Sequence, residues 1–304
     1  DANTHLEHAR LTGFLDLRVI LSAVAAFAEV RAETSAELGR LDAAVRATIL
    51  DRIAPTDRIE AAAEAGFDAV GLRLLRVTPE TPGYPLMTDA PLLRATKSAL
   101  AATGLTVNDI EFIRLTPETD ISALLPLLDT GADLGAKNVI AAPYDDDHPR
   151  LTNTLAHLAE ASHARGLTTV LEFFPWTSVP DLATGWSIVD ASGPHAGLLV
   201  DSLHFNRSSS SLTELAAIPA HRLPFAHLCD APVAPPYSVD ILLHTAREAR
   251  LPPGEGHIPL TAFLNTLPPN LPLGLEVPSP RPQSSLSHDL THLRESTQAL
   301  LRAL

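Results

Sequence analysis

The sequence predicts an α/β protein built as a (β/α)₈ barrel, preceded by a helical N-terminal extension. From Thr56 onward, helix-like segments alternate with short apolar runs, which is the order expected of a parallel barrel. In the second half, successive strand ends are 29 residues apart from Glu172 to Asp201 and 26 apart from Asp201 to His227. A barrel of this type averages roughly 31 residues per strand-plus-helix unit. The chain of 304 residues therefore has the length and the period of one barrel domain.

Seven strands are predicted, and each is an apolar run bounded by helix-like segments or turn residues. They lie within residues 67–74, 105–115, 138–142, 167–173, 196–201, 223–228 and 271–277. The predicted helices are 56–65, 90–103, 119–134, 150–165, 181–191, 212–217, 239–249, 260–266 and 286–303. Thr56 and Asp89 are suited to cap two of these helices, and Gly66, Gly104 and Gly166 to end three of them.

The first strand of the barrel is uncertain in this pattern and must lie before Thr56. Residues 47–53 are the best candidate and residues 15–21 the second, although residues 36–50 also have the periodicity of an amphipathic helix. We therefore divide the chain into a helical extension, residues 1–45, and the barrel, residues 46–304. The alternating charges and many alanines of the extension predict a helical hairpin that covers the barrel or joins two subunits into a homo-oligomer.

Composition excludes several classes of partner. The formal charge of −14 argues against a nucleic-acid surface, which needs a patch of Lys and Arg. The most apolar stretch near the N-terminus, residues 19–28, is half the ~20 residues that a membrane helix needs, so no membrane span is expected. Cys229 is the single cysteine, which precludes an intrachain disulfide and favours a reducing cytoplasm.

Four apolar runs in the second half each end in a side chain that can bind a divalent cation. These side chains are Glu172, Asp201, His227 and Glu276. A polar residue at the C-terminal end of a buried strand has left the core for the mouth of the barrel. Taken singly, each has an ordinary explanation as a helix cap or an ion-pair partner. Four at strand ends are harder to explain by caps, and together they predict one site for Mn²⁺, Mg²⁺ or Co²⁺.

Other polar residues near the strand ends are given ordinary structural roles. Cys229 is expected to be a small buried residue, because the predicted ligand set needs no thiolate. Arg73 and Glu111 are expected to form an ion pair. The run 145–148, three aspartates and a histidine, is expected to be a loop that caps the next helix rather than a second metal site.

Five sequence blocks resemble the xylose-isomerase-like TIM-barrel family, which includes sugar phosphate isomerases and epimerases, ketose 3-epimerases, inosose dehydratase and 3-dehydroshikimate dehydratase. The blocks are LEFFPW at 171–176, DSLHFNR at 201–207, HLCDAP at 227–232, PGEG at 253–256 and LEV at 275–277. The resemblance covers about residues 56–304. It implies that the four candidate ligands hold one divalent cation, and that Glu172 and Glu276 also move protons on opposite faces of the substrate.

The resemblance also implies where a substrate would bind. In the family the Asp-x-x-His-x-x-Arg run lines the substrate pocket, so His204 and Arg207 are expected to bind substrate oxygens, with a solvated loop charge as the alternative for Arg207. Glu255 could bind a hydroxyl or orient His227, or could be an ordinary turn residue. Phe174 and Trp176 fit an apolar pocket wall and core packing equally well.

The predicted function is a metal-dependent isomerase or epimerase acting on a sugar, sugar phosphate or related polyol ketone through an enediolate. A cation can stabilise the enediolate while one carboxylate removes the proton and a second returns one. If a β-hydroxyl group leaves instead, the same groups make a dehydratase of a cyclic hydroxyketone such as 3-dehydroshikimate or an inosose. An endonuclease for abasic DNA, which the fold also supports, would need more histidines and a basic groove. A non-catalytic barrel would not need an intact ligand set.

Overall fold

The computed structural model describes residues 44–45, 54–75, 84–278 and 286–304. Eight parallel strands in these residues form one sheet in chain order, so that each strand pairs with the next one along the sequence. The strands are β1 Ala44–Val45, β2 Ala69–Arg73, β3 Thr106–Leu115, β4 Asn138–Pro143, β5 Thr168–Glu172, β6 Ala196–Asp201, β7 Ala226–Leu228 and β8 Leu273–Leu275. Because β1 lies next to β8, the sheet curves into a barrel, and the predicted fold class is confirmed.

The first strand differs from both of its predicted positions. β1 is a two-residue strand, Ala44–Val45, which pairs with the start of β2 and precedes the preferred candidate at 47–53. So short a strand leaves no apolar run in the sequence, which explains why the periodicity did not find it. Apart from β1, the predicted extension 1–45 lies outside the described residues, as do both candidate segments. The domain boundary and a subunit contact through the extension therefore stay predictions.

Ten α-helices in the described residues connect or follow these strands. They are α1 Pro55–Glu64, α2 Ala90–Thr103, α3 Ile121–Asp133, α4 His148–His163, α5 Leu182–Ala191, α6 Ser202–Asn206, α7 Leu212–Ala217, α8 Val239–Glu248, α9 Leu260–Thr266 and α10 Leu286–Arg302, with one 3₁₀ turn at Ala220–Arg222. The sequence placed nine of these helices; α6 was expected to be part of a loop. None of the helices described is both long enough and apolar enough to cross a membrane.

Helix ends follow the local sequence, with one exception. The Asp89 carboxylate accepts the backbone N–H of Leu92 at 2.9 Å, and Gly104 ends α2 with a φ of 75°, as predicted. Thr56, in contrast, does not cap α1. The helix begins at Pro55, one residue before the predicted start. The φ angle of proline already suits the first helical position, and proline has no backbone N–H that a cap would have to satisfy.

Two apolar layers hold the barrel together. The larger one fills the space between the strands and the surrounding helices. A smaller one lies inside the barrel, where fully buried side chains from neighbouring strands meet: Ile140, Val170, Leu199 and Phe225. This inner layer fills the barrel below the strand ends that carry the candidate ligands.

Candidate metal centre

The four predicted ligands occupy equivalent places at the C-terminal ends of their strands. Glu172 and Asp201 are the last residues of β5 and β6, His227 lies in β7, and Glu276 follows β8 directly. The parallel register sets Asp201 beside His227 and His227 beside Gly274. Strand geometry therefore delivers all four side chains to the same rim.

The four side chains converge on a common point. One ligand atom from each lies within 4.8 Å of the others, and all four residues are buried. The Nδ1 atom of His227 is 3.3 Å from a carboxylate oxygen of Glu172, 3.3 Å from one of Glu276 and 4.0 Å from one of Asp201. Three carboxylate oxygens around one imidazole nitrogen are a donor set suited to a single divalent cation.

The position of His227 depends on the absence of a side chain at Gly274. A Cβ atom on Gly274 would lie 2.8 Å from Cδ2 and 3.3 Å from Nε2 of His227. On another side, the ring of Phe225 meets the imidazole edge-on at 5.3 Å. These contacts fix the ring so that Nδ1 faces the carboxylates.

A buried arginine that the sequence analysis did not single out lies against the cluster. The Nη1 atom of Arg250 is 2.6 Å from Oδ2 of Asp201, and its Nη2 is 3.3 Å from Oε2 of Glu276. Its side chain is 3% exposed, which makes this a fully desolvated ion pair. Burial alone would lower the pKa of Arg250, but the two carboxylates outweigh burial and raise it, so the guanidinium stays charged.

Asp201 uses its two oxygens for two purposes. Oδ1 caps α6 by accepting the backbone N–H groups of Leu203 at 2.7 Å and His204 at 3.0 Å. Oδ2 faces Arg250 and the cluster. Burial raises the pKa of this carboxyl, but Arg250 and the neighbouring histidines outweigh it, and the pKa lies below its usual range. Helix cap and ligand, treated as alternatives in the sequence, are compatible here.

His204 lies against the same arginine and has one nitrogen without a partner. Its Nε2 is 3.4 Å from Nη2 of Arg250, and since guanidinium only donates, Nε2 must accept. Burial lowers the pKa of His204 against the opposing effect of Asp201. With Nε2 accepting from Arg250, the ring proton is on Nδ1. That buried Nδ1 has no hydrogen-bond partner.

Comparison with protein families matches residues 59–300 to the xylose isomerase-like TIM barrel family. The chain belongs to this family. No curated protein gives a significant match. Among solved structures, a xylose isomerase-like TIM barrel/4-hydroxyphenylpyruvate dioxygenase fusion protein aligns with a TM-score of 0.70 and 21% identity over 86% of this chain. The alignment covers 44% of the fusion protein, so this chain spans less than half of that relative.

Three further structures share the fold. The IolI protein, solved with a bound zinc atom, has a TM-score of 0.66 and 19% identity, covering 80% of this chain and 91% of its own. D-Psicose 3-epimerase from Clostridium cellulolyticum H10, solved with D-tagatose, has 0.58 and 17%, covering 82% and 91%. The probable 3-DHS dehydratase AsbF from Bacillus anthracis has 0.63 and 14%, covering 84% and 97%. At these identities the likeness establishes the fold alone.

An aromatic wall stands beside His204 in this xylose isomerase-like barrel. Phe174 and Trp176 stack face to face with ring centroids 5.0 Å apart, and both meet the His204 ring edge-on, at 4.9 and 5.2 Å. Phe174 is buried, whereas Trp176 is partly exposed with a buried Nε1 that has no hydrogen-bond partner. Trp176 thus has a planar face and one free donor next to the cluster.

Arg207 lies at the edge of the site rather than within the cluster. Its guanidinium stacks on the ring of Tyr237 at 4.2 Å and donates to the carbonyl of Pro232 and to the side chain of Asn206. The side chain is half-buried, and its Nε has no partner. The structure thus fixes Arg207 against the loop between β7 and α8.

Glu255 is not among the residues that the structure brings to the cluster. Its side chain is exposed and lies 2.6 Å from Nε2 of His292 on α10. The residue that organises the Pro-Gly-Glu-Gly turn is Asp230, whose carboxylate accepts the backbone N–H groups of Gly254 at 3.1 Å and Ile258 at 3.0 Å. A Cβ atom on Gly256 would lie 2.3 Å from that carboxylate, which explains the glycine.

The ordinary roles assigned to the remaining residues fit the structure. Arg73 and Glu111 form an ion pair at 3.0 Å. Asp147 caps α4 by accepting the N–H of Arg150. Cys229 is fully buried, and burial raises the pKa of its thiol to about 12. It is therefore a small buried residue, as the sequence analysis expected.

Arg250 is the residue near the site that the sequence analysis missed. One signal was present: Leu242, Ala246 and Arg250 are spaced four residues apart, and Leu242 and Ala246 lie on the buried side of α8. A charged residue that continues an apolar stripe requires a buried partner. The local sequence does not indicate which residues the partners are, because Asp201 ends β6 and Glu276 follows β8.

Proposed function

We propose that this xylose isomerase-like barrel is a divalent-metal-dependent isomerase or epimerase of a sugar, sugar phosphate or related polyol ketone. One observation carries the proposal: four buried ligand atoms from four strand ends lie within 4.8 Å of one another. A buried cluster of three carboxylates is expensive unless it holds a cation or a substrate group. The zinc reported with the IolI structure is consistent with that use of the fold.

The residues present fit one divalent cation. Glu172, Asp201 and Glu276 would supply carboxylate oxygens, and His227 would supply Nδ1, the nitrogen that faces all three. Oxygen-rich sets with one imidazole suit Mn²⁺, Mg²⁺ or Co²⁺. Such an ion supplies charge stabilisation for an oxyanion that develops beside a carbonyl.

Glu172 and Glu276 are proposed to move the protons. Each has an oxygen 3.3 Å from the same imidazole nitrogen, so both carboxylates border one point, one from β5 and one from the end of β8. A carboxylate held next to a carbon beside a carbonyl can remove its proton, and a second carboxylate can return one from another side. The net reaction moves or inverts a C–H bond without an external oxidant.

His204 is proposed to bind a substrate oxygen. Its Nδ1–H is a buried donor with no partner in the protein, and an unsatisfied buried donor costs roughly 1–3 kcal/mol. A hydroxyl or carbonyl oxygen of the substrate would satisfy it. Arg207, with its Nε unpartnered at the edge of the site, is proposed to bind a more distant oxygen. Glu255 is not included, because it pairs with His292.

Dehydration of a cyclic hydroxyketone is the second candidate, and the aromatic wall favours it. The stacked pair Phe174 and Trp176 offers a flat apolar surface on which a ring could lie. The AsbF structure has the same fold, as does the epimerase, so the fold does not choose between the two reactions. We also propose a small-molecule substrate and a cytoplasmic location, the latter supported by the single buried cysteine.

The test separates the shared step from the step that differs. Purified protein with Mn²⁺ would be incubated in D₂O with ketoses, ketose phosphates and cyclic hydroxyketones. ¹H NMR would then follow the loss of the signal from the C–H group next to the carbonyl. Solvent deuterium in a recovered isomer or epimer supports the first candidate. A new ultraviolet absorbance from an enone or aromatic product supports dehydration.

Matched variants tie that activity to the cluster. Glu172→Gln should abolish exchange, whereas Glu255→Gln, a glutamate outside the cluster, should exchange as the wild type does. Equal activity in both variants would refute the assignment of Glu172. Absence of stoichiometric divalent metal in the wild-type protein after incubation with Mn²⁺ would refute the metal-dependent reaction altogether.

A further inference from the structure

Arg250 contacts two of the predicted ligands and two further buried residues of the site. Besides Asp201 and Glu276, its guanidinium lies 3.4 Å from Nε2 of His204 and 3.4 Å from the sulfur of Cys229. Cys229 is a neutral thiol and offers only weak acceptance. The strong partners are thus two candidate metal ligands and one candidate substrate-binding histidine.

The side chain is held at its base as firmly as at its tip. Its Nε donates to the carbonyl of Ala246 in α8 at 2.9 Å. The next residue, Leu251, exchanges two backbone hydrogen bonds with Asp230, each 2.8 Å long. Asp230 in turn fixes the following turn. The guanidinium is therefore preorganised by α8 and by the pairing of Leu251 with Asp230, not by the strands that carry the candidate ligands.

The charges of the site also depend on this side chain. Three carboxylates and one guanidinium, with the histidines counted as neutral, sum to a formal charge of −2. That sum matches one divalent cation. Because one nitrogen of its rigid, planar guanidinium contacts Asp201 and the other contacts Glu276, Arg250 also holds these two carboxylates in a fixed relation to each other.

We propose that Arg250 is the positioning residue of the metal and substrate site: it orients Asp201 and Glu276 as ligands and fixes the proton of His204 on Nδ1, facing the substrate. The inference rests on the proposed function for the metal, but its effect on His204 does not require one. In this role Arg250 acts through the residues that it orients.

The first test measures Mn²⁺ affinity by isothermal titration for the wild type, Arg250→Met, Arg250→Lys and Arg222→Met. Partners that orient metal ligands typically contribute 10–100-fold to affinity, so Arg250→Met should bind Mn²⁺ 10–100-fold more weakly. Arg250→Lys keeps the charge but cannot bridge both carboxylates, and should lose less. Arg222→Met removes another buried arginine, which donates to backbone carbonyls and lies over the ring of Trp186, and it should bind Mn²⁺ with the wild-type affinity.

Chemical rescue separates positioning from general stability. Arg250→Ala leaves a space shaped for a guanidinium, so millimolar guanidinium chloride, far below denaturing concentrations, should restore part of its Mn²⁺ affinity. The same salt should not change the affinity of Arg222→Met. Wild-type affinity in Arg250→Met, or no rescue in Arg250→Ala, would overturn the role proposed for the ligands.

The second test uses metal-free protein, so that it stands if the proposed function fails. ¹⁵N-edited NMR of the imidazole, assigned with a His204→Gln variant, should show His204 as the Nδ1–H tautomer in the wild type. Arg250→Met should lose that preference, and Arg222→Met should keep it. A wild-type protein that binds no Mn²⁺ refutes the proposed function; an unchanged His204 tautomer in Arg250→Met refutes the positioning of His204.

Discussion

Two buried arginines stand at opposite ends of strand β6 and serve different purposes. At the first residue of the strand, the guanidinium of Arg222 donates to three backbone carbonyls, those of Ala196, Val189 and Gly193, at 2.7 to 2.9 Å. At the last residue, the guanidinium of Arg250 meets the carboxylate of Asp201 at 2.6 Å. Both arginines are less than 10% exposed.

The difference lies in what each guanidinium satisfies. Arg222 donates to neutral carbonyl groups at the bottom of the barrel, of which that of Val189 also accepts from the hydroxyl of Ser192. Arg250 compensates carboxylates at the mouth, which carry charge and face the site. The guanidinium at the bottom of the barrel is bonded to backbone groups, whereas we propose that the one at the mouth positions the candidate ligands. Each prediction below tests one side of this comparison.

The largest effect is expected at the mouth. Glu172→Gln or Glu276→Gln should lower turnover by about 10²- to 10⁴-fold, because an amide cannot accept the substrate proton. The rate of deuterium exchange into the substrate measures the loss, with metal content determined on the same samples. Near-wild-type turnover in either variant would contradict the proton-transfer assignment.

Loss of the imidazole should remove the ion without unfolding the barrel. His227→Ala deletes the nitrogen that faces all three carboxylates. Residues that only orient a metal ligand contribute about 10–100-fold to affinity, so loss of a ligand itself should lower the Mn²⁺ affinity by more than about 100-fold. Elemental analysis after gel filtration measures the retained metal. A variant that still holds one ion per chain would show that His227 is not a ligand.

The bottom of the barrel should respond in the opposite way. Arg222→Met removes three hydrogen bonds to carbonyls, of which that of Val189 keeps the hydroxyl of Ser192, and the free energy of unfolding should fall by about 2 kcal/mol. Urea denaturation of the metal-free protein measures this. Metal affinity and turnover should not change; if they do, the two ends of the strand are coupled and the comparison fails.

Much of this arrangement could be predicted from the sequence because strands and their ends leave local signals. Asp201, for example, ends an apolar run. In a parallel barrel that position brings its side chain to the same rim as those of Glu172, His227 and Glu276. β1 left no such signal, since two residues are too few for a period. Glu255 was offered as a substrate-binding residue from its motif, but the side-chain direction of a turn residue depends on contacts such as His292 that are remote in sequence.

Arg250 shows the limit most clearly. Its position four residues after Ala246, in line with the buried side of α8, indicates that its charge needs a buried partner. The partners Asp201 and Glu276 are 49 and 26 residues away in the sequence. Only the closed barrel brings these two strand ends to Arg250, which follows α8. Each candidate ligand at a strand end can thus be predicted from its local sequence. The residue that balances the charge of the carboxylates is specified by tertiary packing.

A smaller effect is expected for the thiol beside Arg250. Cys229 is 0% exposed, so in the native protein at pH 8 it should not react with a disulfide reagent such as DTNB, and after unfolding it should release one equivalent. The raised thiol pKa acts in the same direction, because only the thiolate reacts. Cys229→Ala should cost about 1 kcal/mol of stability, from a small cavity, and retain the metal. Prompt labelling of the folded protein would contradict the burial.

The smallest effect is expected at Glu255, and it decides how far the mouth extends. Its contact with His292 is exposed, and pairs of this kind contribute less than about 1 kcal/mol. Glu255→Gln should therefore leave Mn²⁺ affinity, turnover and the unfolding midpoint close to those of the wild type. The matched change at a cluster residue, Glu276→Gln, should alter the first two. If Glu255→Gln instead raised KM without changing kcat, the turn would reach the substrate, and the site would include the loop that positions Arg250.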